Sequence, residues 1–236
     1  MELERLLRSQ GFGSRPVCRA LITSGKVCVD GALCTDPYAD YAPTGLSFSV
    51  AGEAWSYRAA VYLMLNKPTH FECSHKPQHH PSIYSLLPPP FLTRNVQAVG
   101  RLDEDTTGLL LLSDDGQFIH TYTSPKKKIP KVYDVTLKHP ADAAQVDALL
   151  AGVQLNDEPA PIIAAACEIL GEHQLRLTVT EGKYHLVKRM IAAAGNRAEH
   201  LNRISIGGLQ LPADLAPGAW VWLEENDLQR LSGKQK

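Results

Sequence analysis

The residues best suited to chemistry lie between two glycines, in the stretch Gly100-Arg101-Leu102-Asp103-Glu104-Asp105-Thr106-Thr107-Gly108, followed by the apolar run Leu109 to Leu112 and then Ser113-Asp114-Asp115-Gly116. Asp103, Glu104, Asp105, Asp114 and Asp115 place five carboxylates within thirteen residues. A carboxylate can attack carbon, stabilise positive charge on a sugar or move a proton. Asp103 and Asp105 stand two apart and could share a face, as a carboxylate-pair glycoside hydrolase would require. A polar loop held against a buried strand is how a rigid support fixes a reactive group, and an acidic solvated turn has the same composition.

Two other groupings invite a reading. Cys73, His75, His79 and His80 offer soft and imidazole ligands within eight residues, but their spacing is not that of a zinc site and Pro77 and Pro81 mark a loop, so no metal is expected. Basic side chains cluster at Arg5, Arg8, Arg15, Arg19 and Lys26 against Glu2 and Glu4, and again at Lys126, Lys127, Lys128 and Lys131. The net charge of −1 excludes a protein coated in positive charge, yet local patches of this kind can bind phosphate. No glycine-rich phosphate loop or dinucleotide fingerprint is present.

The elements that must position these residues follow from hydrophobic periodicity. Leu3, Leu6 and Leu7, then Val17, Ala20 and Leu21, predict two short helices joined around Gly11 to Ser14, with Ser14 and Pro16 opening the second. Lys26 to Asp30 alternates, and Asp30-Gly31 predicts a hairpin turn. Residues 51–60 lack periodicity and read as a linker, giving domains 1–58 and 59–236. Beyond it, strands are expected at Val61 to Leu65, Leu109 to Ser113, Lys131 to Lys138 and Gln174 to Thr180, with Tyr133, Val135 and Leu137 on one face of the third. Helices are expected at Gln117 to Thr123, capped by Asp114, at Ala141 to Ala151 and at Tyr184 to Ala194. Strands with interspersed helices, without strict alternation, indicate an α+β fold with a mixed or mainly antiparallel sheet.

The 236 residues, 44% hydrophobic and 21% charged, suit a folded globular protein with a real core. No apolar run approaches the ~18 to 20 residues that cross a bilayer. The charged start Met1-Glu2-Leu3-Glu4-Arg5 is unlike a secretory signal, and five cysteines without a Cys-x-x-Cys pair suit a reducing compartment. A cytoplasmic location without membrane association is expected.

Residues 1–58 resemble the S4 RNA-binding domain through Leu3-Glu4-Arg5-Leu6, Ser14-Arg15 and Gly25-Lys26-Val27-Cys28-Val29-Asp30-Gly31. The longer segment resembles the pseudouridine synthase families: Gly100-Arg101-Leu102-Asp103 with Thr106 to Gly116, Leu65-Asn66-Lys67-Pro68, Lys131-Val132-Tyr133, and Glu181-Gly182-Lys183-Tyr184-His185-Leu186-Val187-Lys188-Arg189-Met190 occur in the family's order. The Lys-Arg-Met ending and the S4-like front make the RsuA branch the nearest in pattern. One departure is Leu186, where that branch commonly has glutamine.

The resemblance implies isomerisation of a specific uridine to pseudouridine in ribosomal RNA, in the small (16S) subunit, during ribosome biogenesis. A sister branch with the same domain order acts on 23S RNA, and a non-catalytic S4-type RNA-binding protein is the third reading. Asp103 matches the family's essential aspartate, Lys188 its basic partner with Arg189 as second choice, and Tyr133 the tyrosine that stacks on uracil and helps remove the C5 proton. Arg101 would fill the gap left by a flipped nucleotide. Lys67, Arg5, Arg15, Arg19 and Lys26 are expected at the RNA. The family uses no cofactor. The expected partner is ribosomal RNA or an assembly particle, bound by a monomer.

Overall fold

In the computed structural model, which describes residues 1–233, the chain divides into two compact units: 1–61 with 87–97, and 62–86 with 98–233. The α+β reading of the sequence holds for both.

In the first unit, helices Leu3–Ser9 and Arg15–Thr23 cover a four-stranded antiparallel sheet in the order Ala32–Leu33, Val27–Val29, Ser47–Val50, Glu53–Ser56. Leu3, Leu6, Leu7, Cys18, Ile22, Val27, Val29, Phe48 and Val50 form its core, which is why both helices carry apolar residues three and four apart. Asp30 and Gly31 both take positive φ, the geometry of a tight hairpin turn. The expected linker is corrected: Ala51 and Gly52 are a second positive-φ turn, and Glu53–Ser56 is a strand paired with Ser47–Val50. Trp55 lays its ring edge-on to Phe91, and Arg94 donates to the carbonyls of Arg58 and Ala59, so segment 87–97 belongs with this unit rather than with its sequence neighbours.

The second unit is built on a nine-stranded sheet, mixed but mainly antiparallel. Its main path runs Trp220–Trp222, Tyr62–Lys67, Thr107–Ser113, Ala198–Ile206, Lys131–Leu137, Gln174–Val179, Ala166–Gly171. Only Thr107–Ser113 and Ala198–Ile206 lie parallel on that path. Leu109, Leu110, Leu111 and Leu112 are all fully buried, so this central strand is covered on both faces and shows no alternation in sequence. The helices run Gly116–Thr123, Ala143–Ala151, Leu186–Ala193 and Glu225–Leu231. The first is capped by Asp115 and not by Asp114: the Asp115 carboxylate accepts from the amides of Gln117 and Phe118, and also from the Tyr62 hydroxyl at 2.7 Å.

All five cysteines are free thiols. Among the described residues no helix is long and apolar enough to cross a membrane.

Candidate active site

The carboxylate loop is fixed from below by a lysine. Lys67, at the end of strand Tyr62–Lys67, is fully buried and donates its three N–H groups to the carbonyls of Pro68, Glu104 and Thr106 at 2.9 to 3.0 Å. Burial pushes its pKa below the usual lysine value, against the pull of nearby carboxylates. Its expected place at the RNA is therefore corrected: a buried ammonium with all its donors on backbone oxygens braces the loop and does not reach a phosphate. The Thr106 amide donates to the Asp103 carbonyl, and the His70 amide to that of Glu104, which closes the turn.

Asp103, held by this turn, is partly exposed and lines a cavity of about 140 Å³. Its Oδ1 lies 3.3 Å from His185 Nε2 and its Oδ2 lies 3.5 Å from Lys188 Nζ. His185 adopts φ 47°, an uncommon conformation for a side chain with Cβ, immediately before helix Leu186–Ala193. Lys188 follows one turn in, and its ammonium sits closer to Asp105, at 2.7 and 2.8 Å from the two carboxylate oxygens. Burial raises the Asp105 pKa, but the hydrogen bond and charge of Lys188 outweigh it and leave the carboxyl below its ordinary value. Arg189 turns elsewhere, pairing with Asp157 and donating to the Tyr184 carbonyl. That is the outcome expected of adjacent helical residues about 100° apart.

Tyr133, on strand Lys131–Leu137, is buried and lines the same cavity. Arg101 is exposed and also lines it. Leu186, at the position departing from the branch pattern, is buried at the cavity wall. The structure thus brings Asp103, Tyr133 and Arg101 together at one cavity, whose lining leaves out Lys188, Asp105 and Arg189; Lys188 reaches the site only through its approach to Asp103. A carboxylate with an ammonium and an imidazole beside it, facing a small cavity walled by a tyrosine, can stabilise or attack an electron-poor sugar carbon beside a planar ring.

Over residues 61–193 the sequence matches the family described as RNA pseudouridylate synthase. The chain belongs to the RNA pseudouridine synthase family. Residues 1–39 match the S4 domain, so the synthase carries that module in front of its catalytic one. It is 36% identical, over the full length of both chains, to the "Uncharacterized RNA pseudouridine synthase YtzG" of Bacillus subtilis. It is 37% identical to the "Ribosomal small subunit pseudouridine synthase A" of Escherichia coli, over 97% of this chain and 98% of that one. A solved structure described as a pseudouridylate synthase superposes with a TM-score of 0.69 at 33% identity, over 98% of this chain and 99% of the other.

The sequence alone pointed to no role for His185, Arg203 or Lys131, all of which line the cavity. Arg203 is buried on strand Ala198–Ile206, directly across from Tyr133, and its only signal was the alternation Leu201, Arg203, Ser205 in a segment not read as a strand. Lys131, read in a basic cluster and at the head of the Lys131-Val132-Tyr133 segment but given no role at the site, lines the cavity, and burial followed by the charge of Arg203 brings its pKa down to about 8. The Cys73 and histidine grouping is dispersed: His75 stacks on Tyr84 with ring centroids 3.6 Å apart, His80 pairs with Glu104, and the amides of His79 and His80 bond to Glu72.

In the S4 unit, Arg15 and Arg19 both pair with the buried Glu4 carboxylate, while Arg5 and Lys26 are exposed.

Proposed function

We propose that this protein converts one uridine of small-subunit ribosomal RNA to pseudouridine, with Asp103, Tyr133 and Lys188 as the reacting machinery. The observation that carries the reading is the Asp103 carboxylate beside the Lys188 ammonium and the His185 imidazole, in a cavity that Tyr133 also lines. The reaction breaks the C1′–N1 bond, turns the uracil and joins C5 to C1′. Asp103 acts on the sugar while it is detached from the base, either by attack at C1′ or by removing a proton from the sugar. Lys188, shared with Asp105, and His185 stand beside the Asp103 carboxylate on which both routes depend. Tyr133 stacks on the turning ring and assists loss of the C5 proton.

The target nucleotide must leave its stack to reach such a cavity, and Arg101, exposed at the lining, fills its place or holds the displaced backbone. Residues 1–58 serve as a phosphate-binding module, with Arg5, Arg15, Arg19 and Lys26 contacting the RNA backbone of a ribosomal or assembly-particle substrate. The small-subunit assignment follows the name of the E. coli relative, to which the similarity extends end to end. Mapping pseudouridines in ribosomal RNA from cells lacking the gene tests it. Loss of one 16S site is the expected result; loss of a 23S site with 16S intact would move the protein to a sister branch.

A further inference from the structure

We infer that Arg203, together with Lys131, receives the negative charge that collects on the uracil as its bond to the sugar breaks. The inference rests on the pseudouridine synthase reading above and adds to it a receiver for the leaving group.

Arg203 is 2% exposed and lines the cavity with Asp103 and Tyr133. Its strand is pressed against the central one: a Cβ on Gly108 would meet the Arg203 carbonyl oxygen at 2.3 Å, so only glycine permits this approach. The guanidinium Nε donates to the Leu109 carbonyl at 2.8 Å, and Nη1 lies 3.4 Å from the Tyr133 hydroxyl. Nη2 is buried and, among the described residues, has no hydrogen-bond partner. The partners it does have are a carbonyl and a phenol, neither of them an anion. Lys131 lines the same cavity and donates to the Ile129 carbonyl at 3.1 Å. A buried cation held only by neutral groups is costly, and an orphan N–H adds to the cost. An incoming negative charge would relieve both.

The reaction supplies that charge. When the C1′–N1 bond breaks, its electron pair stays with the base and spreads over N1, O2 and O4. Asp103 meanwhile either forms a bond to C1′ or takes the proton from C2′, and in both routes uracil leaves as an anion. Its C5 then forms the bond to C1′ as the Asp103 oxygen departs with its pair, or as C2′ regains its proton. C5 finally loses its proton and N1 gains one. A forked donor with a spare N–H and a neighbouring ammonium match the oxygens of that anion, where preorganised donors act most strongly.

The test is single-turnover cleavage of the C1′–N1 bond in one RNA carrying either uridine or 5-fluorouridine at the target, read as loss of the starting nucleoside, because fluorine at C5 leaves no proton for the last step while the fluorinated ring holds negative charge better. Arg203→Met and Lys131→Met are compared with the wild-type protein. For Arg203→Met the uridine rate is expected to fall by roughly 10² or more, with RNA affinity within a few-fold, and the loss on 5-fluorouridine to be about tenfold smaller. Lys131→Met, which removes only a bond to one carbonyl and is the variant used if Arg203→Met does not fold, is expected to show the same dependence on the leaving group. Equal losses on the two substrates, or no loss on uridine, would overturn the inference alone. A wild-type protein converting no uridine in any ribosomal RNA would overturn the parent reading and this one with it.

Discussion

Lys188 is hydrogen bonded to Asp105, at 2.7 and 2.8 Å to its two carboxylate oxygens, and stands 3.5 Å from Asp103. The ammonium is thus shared, with the loop's outer carboxylate as its nearer partner. Removing it takes away the ammonium that both carboxylates share. Lys188→Met is expected to lower single-turnover pseudouridine formation by about 10² or more, Arg189→Met to do much less, and Asp105→Asn to stay within about tenfold of wild type. A larger loss in Asp105→Asn than in Lys188→Met would mean that Asp105 belongs to the reacting machinery.

Lys67 is expected to matter through the fold. Lys67→Met leaves three carbonyl oxygens, that of Thr106 buried, without their donor, which costs on the order of 2 to 5 kcal/mol of stability. Urea unfolding should show this loss, while the salt dependence of RNA binding by the folded fraction stays unchanged. A variant of normal stability with a shallower salt slope would put Lys67 at a phosphate after all.

Arg5 and Lys26 are expected to act in the opposite way. Both are exposed on the S4 unit, so replacing either by alanine should leave the unfolding midpoint within the usual scatter of surface changes and reduce the slope of log affinity against log salt by about one. An unchanged slope in the double variant would remove the phosphate-binding role from this surface.

How much of this was legible in sequence depended on whether a residue's partners lie near it along the chain. The Asp103 loop, the Lys131 to Leu137 strand and the Lys188 helix carry their own local patterns, so their types and positions could be read directly. Arg203 could not: its partners, Leu109 and Tyr133, are 94 and 70 residues away, and a single arginine in an alternating segment reads as a surface residue. Lys67 was misplaced because charge predicts exposure, and only the folded loop supplies three carbonyls to one ammonium. The Glu53–Ser56 strand was missed because its turn is Ala51-Gly52, which lacks the asparagine or aspartate that usually announces such hairpins. The cap of the Gly116–Thr123 helix fell one residue later than expected because Asp115 is also drawn by the Tyr62 hydroxyl.

Lys131 gives the protein a specific pH signature. Its folded pKa of about 8 lies below the usual 10.5, so between those values the unfolded chain binds more protons than the folded one. Stability from this group therefore rises with pH across that window, while below about pH 8 both states are protonated and the full penalty of burying the ammonium applies. Urea midpoints at about pH 7.5 and 9.5 should differ more, in the stabilising direction, for wild type than for Lys131→Met. The same pH dependence in both proteins would show that this lysine is solvated.

The most direct measurement is pseudouridine formation by Asp103→Asn, followed alongside RNA binding. Asparagine keeps the size of the side chain and can still hydrogen bond, but it has neither the charge nor the nucleophilicity of the carboxylate. Binding should stay within roughly tenfold of wild type while the rate falls by ~10⁴ or more, below detection. Substantial activity in a folded Asp103→Asn protein would contradict the account.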